Sequence, residues 1–125
     1  QLVAAASAHG SGGGGGAGTA GRAWDVSSGI GGDGLSSSIT GSATTYAEGG
    51  NGAGLGYTAP AVKTTRGSGG AGRANGTTAT NGLDGIVVLR YPDTYPAASA
   101  QTNATYVLGG GYHTYTWTTS GTITL

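Results

Sequence analysis

The chain has 125 residues, 29 of them glycine, and contains no cysteine, methionine or phenylalanine. Five basic and five acidic residues cancel to a net charge of zero, and charged residues make up 8% of the chain against about 25% in ordinary soluble domains. This balance speaks against an ordinary enzyme domain and against a disordered chain held open by charge, and glycines that cluster without a three-residue period are not those of collagen.

Residues 1 to 9, Gln-Leu-Val-Ala-Ala-Ala-Ser-Ala-His, form a short apolar run of small residues that suits a buried strand or a helical turn. From Gly10 to about Gly85 the chain is glycine, serine, threonine and alanine, with clusters at 12 to 16, 49 to 56 and 67 to 72. Glycine in a helix interior costs about 0.5 to 1 kcal/mol relative to alanine, and no window keeps a 3.6-residue apolar period, so no helix is expected here. A glycine segment can instead adopt an extended helix with three residues per turn. Several such segments can pack backbone to backbone, because no Cβ separates them, and their N–H and C=O groups then pair with neighbours. The competing expectation is a flexible linker. Trp24, Ile30, Leu35, Ile39, Tyr46, Leu55 and Tyr57 favour order, since a linker has no use for buried aromatic and branched side chains.

The last third reads as strands. Asn81-Gly82 and Asp84-Gly85 are turn dipeptides, and Gly85 to Tyr91, ended by Pro92, is a β-branched run that predicts a buried strand. Tyr91 to Ala100, carrying Pro92 and Pro96, is a connector. Further strands are predicted at Ala104 to Leu108 and at Tyr112 to Thr118. Alternation in the latter places His113, Tyr115 and Trp117 on one face and Tyr112, Thr114 and Thr116 on the other. Thr119-Ser120-Gly121 reads as a turn into a last strand, Thr122 to Leu125, that forms a hairpin with the preceding one. The chain is therefore expected to be all-β: short strands and a C-terminal β-hairpin joined to extended glycine-rich, polyglycine or loop, segments. Composition divides it into a glycine-rich domain, 1 to 92, and a connector with C-terminal hairpin, 93 to 125.

Little chemistry is encoded. The basic residues Arg22, Lys63, Arg66, Arg73 and Arg90 are scattered, so no phosphate-neutralising patch forms and no nucleic-acid partner is expected. The longest run of large aliphatic residues, Ile86 to Leu89, is far shorter than the roughly 20 residues of a membrane-spanning helix, so no membrane insertion is expected. Gln1 in place of Met, with no basic stretch leading into an apolar core, suggests a fragment or processed form without a signal peptide. His9 and His113 are the only bases of suitable pKa, and Ser11 near His9 has no third group to orient the imidazole, so no catalytic residue is assigned and the protein is not expected to be an enzyme. Zinc wants three or four clustered ligands, and Asp25, Asp33, Asp84 and Asp93 read as turn aspartates, so neither a metal nor a cofactor is expected. Gly13-x-Gly15-x-x-Gly18 matches the dinucleotide pattern only because a glycine run does so by chance, and no amphipathic helix follows it. Two glycosylation sequons, at Asn75 and Asn103, are chance in so threonine-rich a chain.

The order of elements resembles a known class. An apolar strand running into polyglycine (Leu2 to Gly13), further glycine clusters and a closing Asp84-Gly85-Ile86-Val87-Val88-Leu89-Arg90-Tyr91-Pro92 are similar to the glycine-rich domain of bacteriophage tail-fibre and related virion proteins. His113 to Leu125 resembles the hairpin that introduces such a segment in those proteins, which implies that 93 to 125 is the start of a further repeat in a tandem array. The resemblance implies attachment and architecture rather than catalysis, in a homo-oligomer such as a trimer, located in the virion beside other virion proteins. It implies a tail fibre or similar appendage, built or tipped by this chain, that contributes to host attachment through a surface glycan or protein. Tyr46 and Tyr57, flanking the cluster at 49 to 56, are the residues expected at loop tips for surface binding. The alternative is a cell-derived extracellular filament or adhesin subunit assembled by strand exchange, with Leu2 and Val3, or Thr122, Ile123, Thr124 and Leu125, in the exchanged strand. A capsid or tail decoration protein is a further alternative.

Overall fold

The computed structural model describes residues 10–23, 29–54, 61–73 and 78–125. The described residues contain strands and no helix, in two antiparallel sheets, as the composition led one to expect. Strands β1 (Leu35–Ser37) and β2 (Thr44–Tyr46) form a two-stranded sheet, and β3 (Val87–Pro92), β4 (Ala100–Gly109) and β5 (Tyr112–Thr124) form a three-stranded sheet in the order β3-β5-β4. The expected first strand, including Leu2 and Val3, lies outside the described residues.

Two compact units divide the chain. One comprises described residues up to Leu35 and from Tyr46 to Leu83, and the other Ser36–Thr45 with Asp84–Leu125. β3, read from the sequence as the closing strand of the glycine-rich part, thus pairs within the C-terminal unit.

In the glycine-rich unit the backbone bonds sideways with a period of three. Along 47–54, the carbonyls of Ala47, Gly50 and Ala53 accept from the amides of Ala17, Gly14 and Ser11 at 2.9, 2.9 and 3.1 Å. The carbonyls of Glu48 and Asn51 accept from Gly69 and Gly72 at 3.0 and 2.8 Å, and the amides of Gly49 and Gly52 donate to Gly32 and Gly29 at 2.8 and 2.7 Å. Each of three neighbouring segments takes every third residue, as an extended helix of three residues per turn requires. The segment 10–17 has the same pattern: Gly13 and Gly16 donate to Arg22 and Thr19, while Ser11 and Gly14 accept from Gly29 and Gly32. Segment 78–83 closes the far side, with Thr80 and Leu83 donating to Ala71 and Ser68.

Glycine is obligatory where segments cross. A Cβ on Gly31 would overlap the carbonyl oxygen of Gly49, and one on Gly50 would overlap that of Gly70. Among the described residues the interior of this unit is backbone, with Ala53, Ser68 and Ala71 the largest side chains buried in it. Of the seven residues whose burial was the sequence argument for order, Ile30, Leu35 and Ile39 are exposed, Tyr46 is half-buried, and Trp24, Leu55 and Tyr57 lie outside the described residues. Among the described residues, large apolar side chains do not order this unit; hydrogen bonds in a close-packed interior do, each contributing about 0.5 to 1.5 kcal/mol net.

Where the three-residue pattern would leave an amide unpaired, a short polar side chain supplies the acceptor. Ser11 Oγ accepts from Ala53 at 2.8 Å, Asn51 Oδ1 from Gly31 at 2.9 Å, and Thr80 Oγ1 from Ala71 at 2.8 Å. The serines and threonines between the glycines are thus parts of the lattice, which satisfies the requirement that buried amides find partners.

The C-terminal sheet corrects two sequence expectations. Thr119-Ser120-Gly121 is not a hairpin turn: β5 runs through it, and both Tyr112–Trp117 and Thr122–Thr124 pair with β4, opposite Gly109–Ala104 and Thr102–Ala100. Residues 118–121 arch out as a wide bulge opposite Asn103, which sits at φ 57° and donates from Nδ2 to the Ser120 carbonyl at 2.8 Å. The hairpin turn is at Gly110-Gly111 instead, where φ of 59° and 82° gives the two positive values that a two-residue I′ turn needs. The strand ending at Pro92 is present, yet it is an edge strand and only half-buried, with Val87 exposed.

Candidate functional site

The C-terminal sheet collects all of its aromatic residues but Tyr112 on one face. The register sets Val87, Leu89 and Tyr91 of β3 and Ala104, Tyr106 and Leu108 of β4 directly across from Trp117, Tyr115 and His113 of β5, and directly paired residues share a face. The alternation read from the sequence is as expected. Ring centroids lie 4.8 Å apart for Tyr106 and Tyr115, 5.1 Å for Tyr91 and His113, and 6.1 Å for Tyr115 and Trp117, within the range of favourable aromatic pairs. Tyr115 is 2% exposed and Trp117 8%, so these rings are core.

The connector folds back over this face and satisfies its polar ends. Ala98 N–H donates to the Tyr115 hydroxyl at 2.8 Å, and Ser99 N–H donates to the Thr124 carbonyl at 2.8 Å. His113 Nε2 donates to the Tyr95 carbonyl at 3.0 Å, and that requirement fixes the tautomer, leaving Nδ1 to accept the Tyr106 hydroxyl at 2.8 Å. With both nitrogens committed to core contacts, His113 is a structural residue, as its place on the aromatic face implied. The Tyr91 phenol is pushed up to about 12 by loss of hydration and, next, by its bond to the Tyr115 hydroxyl.

Beside the connector an apolar cleft of about 370 Å³ is lined by Leu89, Tyr91, Tyr95, Pro96, Ala97 and Leu125. A second, of about 390 Å³, lies under the bulge between Val87, Trp117 and Ile123, rimmed by the hydroxyls of Thr119, Ser120 and Thr122. Neither cleft is lined by an ionisable residue other than tyrosine. Gly121 lies flush on the Trp117 indole, whose Nε1 donates to the Thr102 carbonyl at 3.0 Å. On the sheet's opposite face the Arg90 guanidinium stacks 3.9 Å over Tyr112 and donates to the Ser38 carbonyl at 3.1 Å, tying the β1–β2 turn to β3.

The residues expected to bind surfaces are placed as follows. Tyr46 is the half-buried last residue of β2, and Tyr57 lies outside the described residues. Thr122, Ile123 and Thr124 pair with Thr102, Gln101 and Ala100 in the chain's own sheet, followed by an exposed Leu125. Among the described residues no three metal-ligating side chains lie together.

Sequence reasoning missed one charged cluster. Glu48 Oε1 pairs with Lys63 Nζ at 3.1 Å and Oε2 accepts the Thr65 hydroxyl at 2.7 Å, while Glu48 N–H donates to Ser68 Oγ at 3.2 Å. The Thr65 hydroxyl holds this carboxyl below its ordinary 4.5, with Lys63 adding to the effect. A depressed carboxyl contributes stability that is complete above its unfolded value and is lost as pH falls below it. Thermal melts of the wild type are therefore expected to drop as pH falls through 4.5. Glu48→Gln should melt lower than wild type at neutral pH and converge with it in acid; a constant gap would show that the cluster is not the acid-sensitive element.

No family model, curated protein or solved structure matches this chain.

Proposed function

We propose that the chain is a non-enzymatic structural component of a phage virion, one that builds or tips a tail fibre or similar appendage and contributes to host-surface attachment. The observation that carries this reading is the cross-bonded glycine lattice, in which each central segment is tied to three neighbours at every third residue. Such a lattice gains rigidity mainly from backbone hydrogen bonds, without disulfides and, among the described residues, without a large apolar core, and so suits an exposed appendage that must stay folded outside a cell. The order of the glycine clusters and the Asp84 to Pro92 strand supports the tail-fibre assignment by resemblance. Repeated copies would convert weak surface contacts into avidity.

Strand exchange through the C-terminus has less support. β5 is the central strand of its sheet, so Thr122–Thr124 have β4 as a partner already. Exchange through Leu2 and Val3 is the remaining form of that alternative.

Light scattering of the undenatured protein, paired with negative-stain imaging, tests the reading. A discrete trimer, or a fibre seated on a virion, is the expected result. An open filament with a single-subunit repeat would replace it with strand exchange, and a stable monomer would overturn both.

A further inference from the structure

Asn-Gly pairs are chemically labile, because glycine leaves the following amide nitrogen unhindered to attack the asparagine side chain. Among the described residues the pairs are Asn51-Gly52 and Asn81-Gly82, and the lattice treats them in opposite ways. Asn51 is fastened at both amide atoms, Oδ1 accepting from Gly31 at 2.9 Å and Nδ2 donating to the Ala61 carbonyl at 2.8 Å. The nucleophile it would need, the Gly52 nitrogen, donates to Gly29 at 2.7 Å. Asn81 is exposed, and among the described residues neither its side-chain amide nor the Gly82 N–H has a hydrogen-bond partner.

We infer that Asn81-Gly82 is a self-modification site, where Asn81 converts to aspartate or isoaspartate through a cyclic imide. The Gly82 nitrogen loses its proton to base and forms a bond to Asn81 Cγ. The Cγ–Nδ2 bond breaks, and Nδ2 leaves as ammonia. Water then opens the ring at either carbonyl, giving aspartate or, when the main-chain carbonyl is the one hydrolysed, isoaspartate with the backbone routed through Cβ and Cγ.

The second product matters because of where it falls. Thr80 and Leu83 are the anchors of segment 78–83, bonded to Ala71 at 3.1 Å and to Ser68 at 2.8 Å, three residues apart on each side. An inserted methylene between them breaks that matched spacing, so isoaspartate releases the segment from 66–73. Gly82 cannot be exchanged to prevent this without cost, since a Cβ there would come within 2.8 Å of the Ser68 carbonyl. The glycine that this close approach demands after Asn81 is also what makes the pair labile.

The test incubates the intact folded protein in mildly alkaline buffer and maps deamidation over time by tryptic peptide mass spectrometry with electron-transfer fragmentation. Fragmentation is needed because Asn75-Gly76 lies between Arg73 and Arg90 on the same peptide as Asn81. Asn81 should convert roughly ten- to hundredfold faster than Asn51, the factor expected of two or so hydrogen bonds that must open first, and the two rates should converge in urea. Isoaspartate at Asn81 should appear together with faster amide exchange at Thr80 and Leu83, and Asn81→Gln should prevent both. Equal native rates at Asn51 and Asn81, or an Asn81 that stays intact while the urea-unfolded chain converts, would overturn the proposal.

Discussion

Replacing Gly31 or Gly50 by alanine is expected to unfold the glycine-rich unit, while the same change at Gly15 leaves it intact. At the first two positions the new methyl would overlap a carbonyl oxygen of the neighbouring segment, Gly49 or Gly70, and around Gly15 nothing lies within 4 Å. A flexible side chain can move aside, but a backbone carbonyl bonded into a lattice cannot. Gly50 makes this plain: its own carbonyl accepts from Gly14, and its neighbours Gly49 and Asn51 bond to Gly32 and Gly72. Separating the segments by the width of a methyl would stretch bonds on several sides at once, so the cost should exceed the 1 to 3 kcal/mol of ordinary overpacking, reaching about 4 kcal/mol or more. Gly15→Ala should change stability by less than about 1 kcal/mol, and in the favourable direction if the unfolded chain loses freedom. Urea melts followed by amide exchange at Gly49 and Gly52 would report the lattice directly. Equal tolerance of alanine at all three positions would mean that the segments are not packed backbone to backbone.

The contrast between these glycines explains what the sequence could and could not convey. β3, β4 and β5 were legible because β-branched and aromatic residues alternate along them, and alternation is a side-chain signal. The glycine segments carry no such signal. Their composition told of extended backbone, but which segment bonds to which, and in which direction, is fixed by carbonyl and amide positions that glycine, serine and threonine leave unmarked. Hence the roles of Ser11, Asn51 and Thr80 as substitute acceptors were invisible, although each is a short polar residue among glycines. The C-terminal turn was misplaced for a related reason. Thr-Ser-Gly and Gly-Gly-Gly are both turn signals, and only the pairing of Thr122–Thr124 with Thr102–Ala100 shows that the first is a bulge and the second the hairpin. The Glu48 cluster went unnoticed because Lys63 is fifteen residues away on another segment.

Tyr115 is where the C-terminal unit should prove most sensitive, and two substitutions separate its roles. Tyr115→Ala removes the ring that stacks among Tyr91, Tyr106 and Trp117, leaving a cavity at a position only 2% exposed. A loss of about 3 to 5 kcal/mol is expected. Tyr115→Phe keeps the ring and removes the acceptor of the Ala98 amide, so it should cost about 1 to 3 kcal/mol and loosen the connector rather than the sheet. The two effects can be told apart by titration. The Tyr91 phenol is raised from 10.0 to about 12, by loss of hydration first and by the Tyr115 hydroxyl second. A phenol raised on folding contributes stability that is complete below its unfolded value and is lost as pH climbs to the folded one, here from 10.0 towards about 12. In Tyr115→Phe the hydroxyl's share of the shift disappears, so Tyr91 should ionise at lower pH in an ultraviolet phenolate titration, and the alkaline loss of stability, which still begins near 10.0, should end at lower pH and be smaller. A Tyr91 titration unchanged by Tyr115→Phe would mean that the two hydroxyls, 3.5 Å apart, are not bonded and that burial alone raises the phenol.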